Sequence, residues 1–309
     1  MLPSFARQGA PIRSFHPSTY ALAVVTFLSL SFILAPSWMS ERDSSLARHA
    51  TPHEENFTKA TTNRLYPQVV VLGDSIAERS FDEAEGYGIK LTSMYAGKMD
   101  VLNRGFGGYN SRQLLKKLKE DMPLDDVRLF IIHVGTNDAV ITGEQKIEGD
   151  EFQKNMFAIL DYISEAHPAA RVLCVTPSTL QPDWWLAHMR NLHTPDGGDP
   201  ITESDRTIAS NKKYVQLLRT IVKEWNKVRV ESQDGKGNKV AIVDAFRAHA
   251  VAKGQHGVTN EMLFTDGLHW SSKGYMIVTR EIMKMLPVFE ELIPGKLPYA
   301  YEPWAQYKA

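Results

Sequence analysis

The chain has 309 residues, 23% charged and 43% hydrophobic, which is ordinary for a folded domain. A formal net charge of −1 gives no electrostatic reason to expect nucleic acid as a partner. The single cysteine, Cys174, excludes an intrachain disulfide and a cysteine-rich zinc site, so stability has to come from a buried core.

The N-terminus stands apart. No Lys, Arg, Asp or Glu occurs from Ser14 to Ser40, and the densest apolar run is Tyr20 to Leu34. A membrane-spanning helix needs roughly 20 mostly apolar residues, which the wider Tyr20–Met39 stretch can supply. A signal-peptide core needs only about 7–15. Ala35 and Ser37 have the small-x-small pattern of a cleavage site, whereas the long preceding segment favours an uncleaved anchor. Arg7 and Arg13 precede the run and mixed charges follow it, so the positive-inside rule puts the N-terminus in the cytosol. Residues 1–40 are therefore expected to be a cytosolic N-terminus plus a signal-anchor or signal peptide. The remainder is then membrane-anchored on the secretory-pathway lumenal or extracellular side. Secretion after cleavage is one alternative. A mitochondrial presequence, basic and free of acids, is another. Asn56-Phe57-Thr58 is an N-glycosylation sequon on the expected lumenal side. Residues 41–66 are polar and without apolar period, as in a linker, and residues 67–309 form the folded domain.

Five short apolar runs follow: Gln68–Gly73, Asp100–Asn103, Leu129–Val134, Arg171–Thr176 and Lys239–Asp244. Helical spacing separates them over Gly88–Lys98, Ser111–Glu120, Glu151–Ala166 and Asn211–Val228, and a last helix is predicted over Ser272–Leu286, stopped by Pro287. Strands alternating with helices predict parallel strands joined by right-handed crossovers. The fold class is α/β: a three-layer α/β/α sandwich on a five-stranded parallel sheet, with its ligand site beyond the carboxyl ends of the strands. The connection from Pro177 to about Asp205 is unusually long. Its Trp184 and Trp185 either line an apolar substrate pocket or pin the loop to the domain.

Four strand-end segments carry chemistry. Gly73-Asp74-Ser75 leaves a serine over the cleft at the start of the next helix, with Asp74 capping the turn. Asn103–Asn110, reading NRGFGGYN, has three glycines in four residues, which lets backbone N–H groups face outward as oxyanion donors. No Gly-Lys-Ser/Thr follows, so this is not a Walker A loop. Gly135-Thr136-Asn137-Asp138 can aim the Asn137 amide at the same point. Asp266-Gly267-Leu268-His269 places a carboxylate and an imidazole three residues apart, the pair needed to activate a serine. The order differs from the Gly-x-Ser-x-Gly elbow, because no glycine lies two positions after Ser75. His133, His249 and His256 lack ligand partners at useful spacing and read as structural, with no metal site.

These four segments resemble blocks I, II, III and V of the GDSL/SGNH hydrolases, over most of Gln68 to Leu286. The wording of VLNRGFGGYNSR, GTNDA and DGLHWSSKGY is closest to the isoamyl acetate-hydrolysing esterase group. The resemblance implies the SGNH-hydrolase version of the flavodoxin-like sandwich. It implies a nucleophile at Ser75, a triad completed by Asp266 and His269, and oxyanion donors at Ser75, Gly108 and Asn137. Gly108 rather than Gly107 rests on counting five residues from Asn103. It implies hydrolysis of short-chain, acetate-type esters through an acyl-enzyme without a cofactor, the partner being a small-molecule ester. A lipid- or thioester-directed acyl hydrolase, or a non-catalytic membrane-tethered binding domain, are the rival expectations.

Overall fold

The computed structural model describes residues 66–193, 201–231, 238–255, 257–302 and 304–305, all within one compact unit. The N-terminal apolar segment, the Asn56 sequon and His256 lie outside the described residues. Among the described residues, no helix is long and apolar enough to cross a membrane.

The chain begins with β1 (Gln68–Gly73), a short helix α1 (Ser75–Arg79) and α2 (Tyr87–Met94). Next come β2 (Asp100–Gly105), α3 (Ser111–Glu120), β3 (Val127–His133) and α4 (Gly149–Ala166). They are followed by β4 (Arg171–Val175), α5 (Pro182–His193), α6 (Ile208–Glu231) and β5 (Val240–Val243). Helices α7 (Ala245–Gln255), α8 (Asn260–Leu263) and α9 (Ser272–Met285) end the regular part. The five strands are parallel in the order β2-β1-β3-β4-β5, the flavodoxin-like order expected.

Period-two alternation splits the core between the two faces of the sheet. Val69, Val71, Leu129 and Ile131 face α1, α2, α7 and α9, packing on Tyr87, Leu91, Tyr275 and Val278. Val70, Leu72, Phe130 and Ile132 face α3, α4 and α6, packing on Leu114, Phe152, Ile159 and Leu218. Strands buried on both faces explain why they read as unbroken apolar runs.

Several boundaries differ from the sequence reading. β2 runs on to Gly105 because Arg104 and Gly105 stay in register with Leu72 and Gly73 of β1. Helix α2 stops at Met94 rather than Lys98, while α6 extends beyond Asn211–Val228 at both ends. The larger correction concerns the 177–205 connection, which contains helix α5 rather than being a bare loop. Pro182 opens it at the first helical position, where a missing N–H costs nothing. Helix α7 was not anticipated.

Strand order reverses between β1 and β3: β2 lies to one side and β4 to the other. Such a switch point opens a crevice at the carboxyl ends of the strands. The segments after β1, β2 and β3 all leave the sheet there.

Candidate active site

Ser75 is the first residue of α1, directly after the N-cap Asp74, whose Oδ1 accepts from the Ile76 N–H at 2.9 Å. The first N–H groups of a helix have no partner in its ladder, so the Ser75 N–H is available to a ligand. Asp74 is fully buried, and burial pushes its carboxyl up to about 7 against the pull of the Ile76 N–H. It shapes the turn that presents Ser75, as the sequence reading held.

Facing Ser75 is the turn Asp266–His269. His269 Nε2 lies 2.9 Å from Ser75 Oγ, and its Nδ1 lies 2.6 Å from Asp266 Oδ2. Asp266 Oδ1 accepts from the Leu268 and His269 N–H groups at 2.9 and 2.8 Å, fixing the carboxylate plane. Burial raises the Asp266 carboxyl, but the hydrogen bond and charge of His269 and the two backbone N–H groups outweigh it. The group is held well below the usual carboxylate range. An ionised carboxylate only accepts, so Nδ1 carries a proton, as in the tautomer whose Nε2 can accept from the Ser75 hydroxyl. Gly267 sits at φ +92, and a Cβ there would come within 2.6 Å of Gln181 O and Trp185 N. Only glycine lets the N-terminal end of α5 approach this turn so closely.

The loops after β2 and β3 leave the sheet at the same end as Ser75. Gly108 adopts φ +80, and its carbonyl accepts from Gln145 Nε2 at 2.7 Å. Asn137 is buried and donates one amide hydrogen to Tyr109 O at 2.9 Å, which ties the two loops together. A primary amide has a second hydrogen left to donate. The Asn137 carbonyl oxygen accepts from Arg206 Nη2 at 3.0 Å. Neither Gln145 nor Arg206 was singled out by the sequence. An isolated Gln in a loop and an isolated Arg before a helix carry no pattern.

The two tryptophans part company. Trp185 is buried, donates its indole N–H to Asp205 Oδ1 at 2.7 Å, and meets the His269 ring edge-on at 5.9 Å. It pins α5 to the domain beside the imidazole. Trp184 is 36% exposed and Leu192, also on α5, is 62% exposed. His188, on the same helix, places Nε2 3.8 Å from Asp266 Oδ2, a contact the sequence reading missed. His133 and His249 are buried, and burial lowers them to about 3 and about 4, so both stay neutral. His133 Nδ1 lies 3.0 Å from the Tyr87 hydroxyl and His249 Nε2 lies 3.0 Å from Gly274 O, as expected of structural imidazoles.

The GDSL-like lipase/acylhydrolase family matches residues 71–277, a span containing Ser75, Asn137, Asp266 and His269. The chain is 28% identical over 254 residues to the isoamyl acetate-hydrolyzing esterase of Schizosaccharomyces pombe, covering 81% of this chain and 86% of that protein. It is 33% identical over 243 residues to the human isoamyl acetate-hydrolyzing esterase 1 homolog, covering 76% and 87%. Among solved structures, a lipase/acylhydrolase from Enterococcus faecalis superposes with a TM-score of 0.51 at 20% identity, covering 76% of this chain and all of that one.

Proposed function

Because the chain belongs to the GDSL-like lipase/acylhydrolase family and is a carboxylic ester hydrolase, we propose that it hydrolyses short-chain, acetate-type esters with Ser75 as nucleophile. The observation that carries this reading is the unbroken chain Ser75 Oγ–Nε2 His269 Nδ1–Oδ2 Asp266, at 2.9 and 2.6 Å.

His269 Nε2 takes the hydroxyl proton as Ser75 Oγ attacks the ester carbonyl. Asp266 holds the ring in the tautomer that can accept and stabilises the imidazolium that forms. The Ser75 and Gly108 N–H groups and the free Asn137 amide hydrogen receive the developing oxyanion. His269 then gives its proton to the leaving alcohol, and water repeats the attack on the acyl-enzyme.

The acetate-type preference rests on the names of the relatives. The exposed Trp184 and Leu192 on α5 favour a second reading, a lipid- or thioester-directed hydrolase that lays a longer apolar chain along this helix. Rates on esters from acetyl to dodecanoyl separate the two. A maximum at two to four carbons supports the first, and a rise toward long chains supports the second.

A fluorophosphonate probe, followed by peptide mass spectrometry, tests the nucleophile. An adduct on Ser75 is expected, and folded protein that takes up no label there would contradict the enzyme reading.

The membrane anchor remains our proposal from Arg7, Arg13 and the Tyr20–Met39 run. Resistance to carbonate extraction, with an endoglycosidase shift abolished by Asn56→Gln, is the expected result. Full release by carbonate would remove the anchor.

A further inference from the structure

Arg206 is 2% exposed and lies 70 residues from Thr136 in sequence, yet its guanidinium reaches the loop after β3 that carries Asn137 and, through Gln145, the loop after β2 that carries Gly108. Nη1 donates to Thr136 O at 2.7 Å. Nη2 donates to Asn137 Oδ1 at 3.0 Å and to Gln145 Oε1 at 3.1 Å. Gln145 passes the connection on, donating to Gly108 O at 2.7 Å, while its own carbonyl accepts from Asn110 Nδ2 at 3.1 Å. On the outer side, the guanidinium carbon sits 5.3 Å from the Trp185 ring centre and Nε lies 3.6 Å from Asp205 Oδ1.

We propose that Arg206, with Gln145 as its relay, is a positioning residue that sets the orientation and donor strength of the Asn137 amide. The inference rests on the assignment of Asn137 as an oxyanion donor made above.

The physical reason is the asymmetry of the amide. As placed, Oδ1 faces a donor and one N–H faces the Tyr109 carbonyl. Rotating the amide by half a turn would set NH₂ against the guanidinium and oxygen against the Tyr109 oxygen. Both contacts would become repulsive, so the second N–H has one direction to point. A charge-assisted hydrogen bond on Oδ1 also draws electron density from the amide and makes its remaining N–H a better donor. Gln145 steadies the backbone at Gly108 by donating to its carbonyl, a positional restraint rather than a polarisation of the Gly108 N–H. A guanidinium is suited to the task because its planar fork donates to several acceptors at fixed angles, which an ammonium cannot do.

The test is a double-mutant cycle on the full chain with p-nitrophenyl acetate, rates being normalised to active sites titrated with the fluorophosphonate. Asn137→Ala is expected to lose about 10²–10³ in kcat, the range for one oxyanion donor. Arg206→Met is expected to lose about 10- to 100-fold in kcat with KM nearly unchanged, because it weakens a donor without removing it. In the Asn137→Ala background the same Arg206→Met change is expected to cost no more than about threefold, since the donor it acts on is gone. Arg206→Lys, which keeps the charge but not the fork, is expected to fall between wild type and Arg206→Met. It replaces Arg206→Met in the cycle if that variant does not fold. An equal loss from the Arg206 substitution in both backgrounds would overturn the inference and leave the oxyanion assignment standing. An Asn137→Ala enzyme as fast as wild type would overturn both.

Discussion

The turn from Asp266 to His269 and the connection from Pro177 to Thr207 meet where Gly267 touches the start of α5, yet they hold their groups by different means. The turn is closed on itself: within four residues the Asp266 carboxylate accepts from Leu268 N, His269 N and His269 Nδ1. The described part of the connection combines internal bonds such as Trp185 to Asp205 with anchors from afar. Arg206 is fixed by residues 61 to 70 positions away, and Asn211 Nδ2 reaches Ser178 O across 33. A local unit carries its geometry wherever the chain places it. A non-local one exists only once the sheet has brought β3 and α6 together.

Substitutions in each segment put that contrast at risk. Among substitutions in these two segments, the largest effect is expected from Asp266→Asn. The Asn oxygen can still accept from the two backbone N–H groups, so the fold survives. The amide facing Nδ1 favours the wrong tautomer, and kcat is expected to fall by about 10⁴, as in serine proteases. Retained activity within tenfold would show that the turn orients His269 without its charge. Acid sharpens the point. The folded Asp266 carboxyl lies below its unfolded value, so its stabilising contribution is complete above about pH 4 and is lost as pH falls through the lowered folded value. Urea midpoints of wild type and Asp266→Asn are therefore expected to converge as the pH drops below 3. A constant gap at all pH values would contradict that coupling.

Gly267→Ala strikes the seam between the segments. A left-handed non-glycine residue costs about 1–2 kcal/mol, and forcing a Cβ against the α5 backbone adds about 1–3 kcal/mol. A lowered melting temperature together with a lowered kcat is expected. An unchanged melting temperature would mean that α5 moves aside freely. The smallest effect belongs to Trp185→Phe, which keeps an aromatic edge on His269 and drops the hydrogen bond to Asp205. One hydrogen bond contributes about 1 kcal/mol, so kcat is expected to change by less than about tenfold. A loss comparable to that of Asp266→Asn would show that the connection matters as much as the turn.

The same contrast explains what could be read from the residues alone. The strands announce themselves because both faces of Val69–Leu72 and Leu129–Ile132 are buried. Ser75, Asn137, Asp266 and His269 each lie in a compact run whose local geometry and chemistry coincide. Helix α5 was missed because Pro177 and Pro182 and the Gly197-Gly198 pair suggest a loop. Its stability comes from packing Trp185 with Leu180 and Leu268. Arg206 and Gln145 were invisible for the reason already given: nothing near them in sequence says what they touch.

The central claim is that Ser75 attacks the ester. The most direct measurement is p-nitrophenyl acetate hydrolysis by the full-length chain beside its Ser75→Ala variant, both shown to be folded by circular dichroism. Wild-type turnover with a loss on the order of 10⁶ in kcat, as seen for a serine protease nucleophile, is the predicted result. Equal rates in the two proteins would contradict it and place the nucleophile elsewhere.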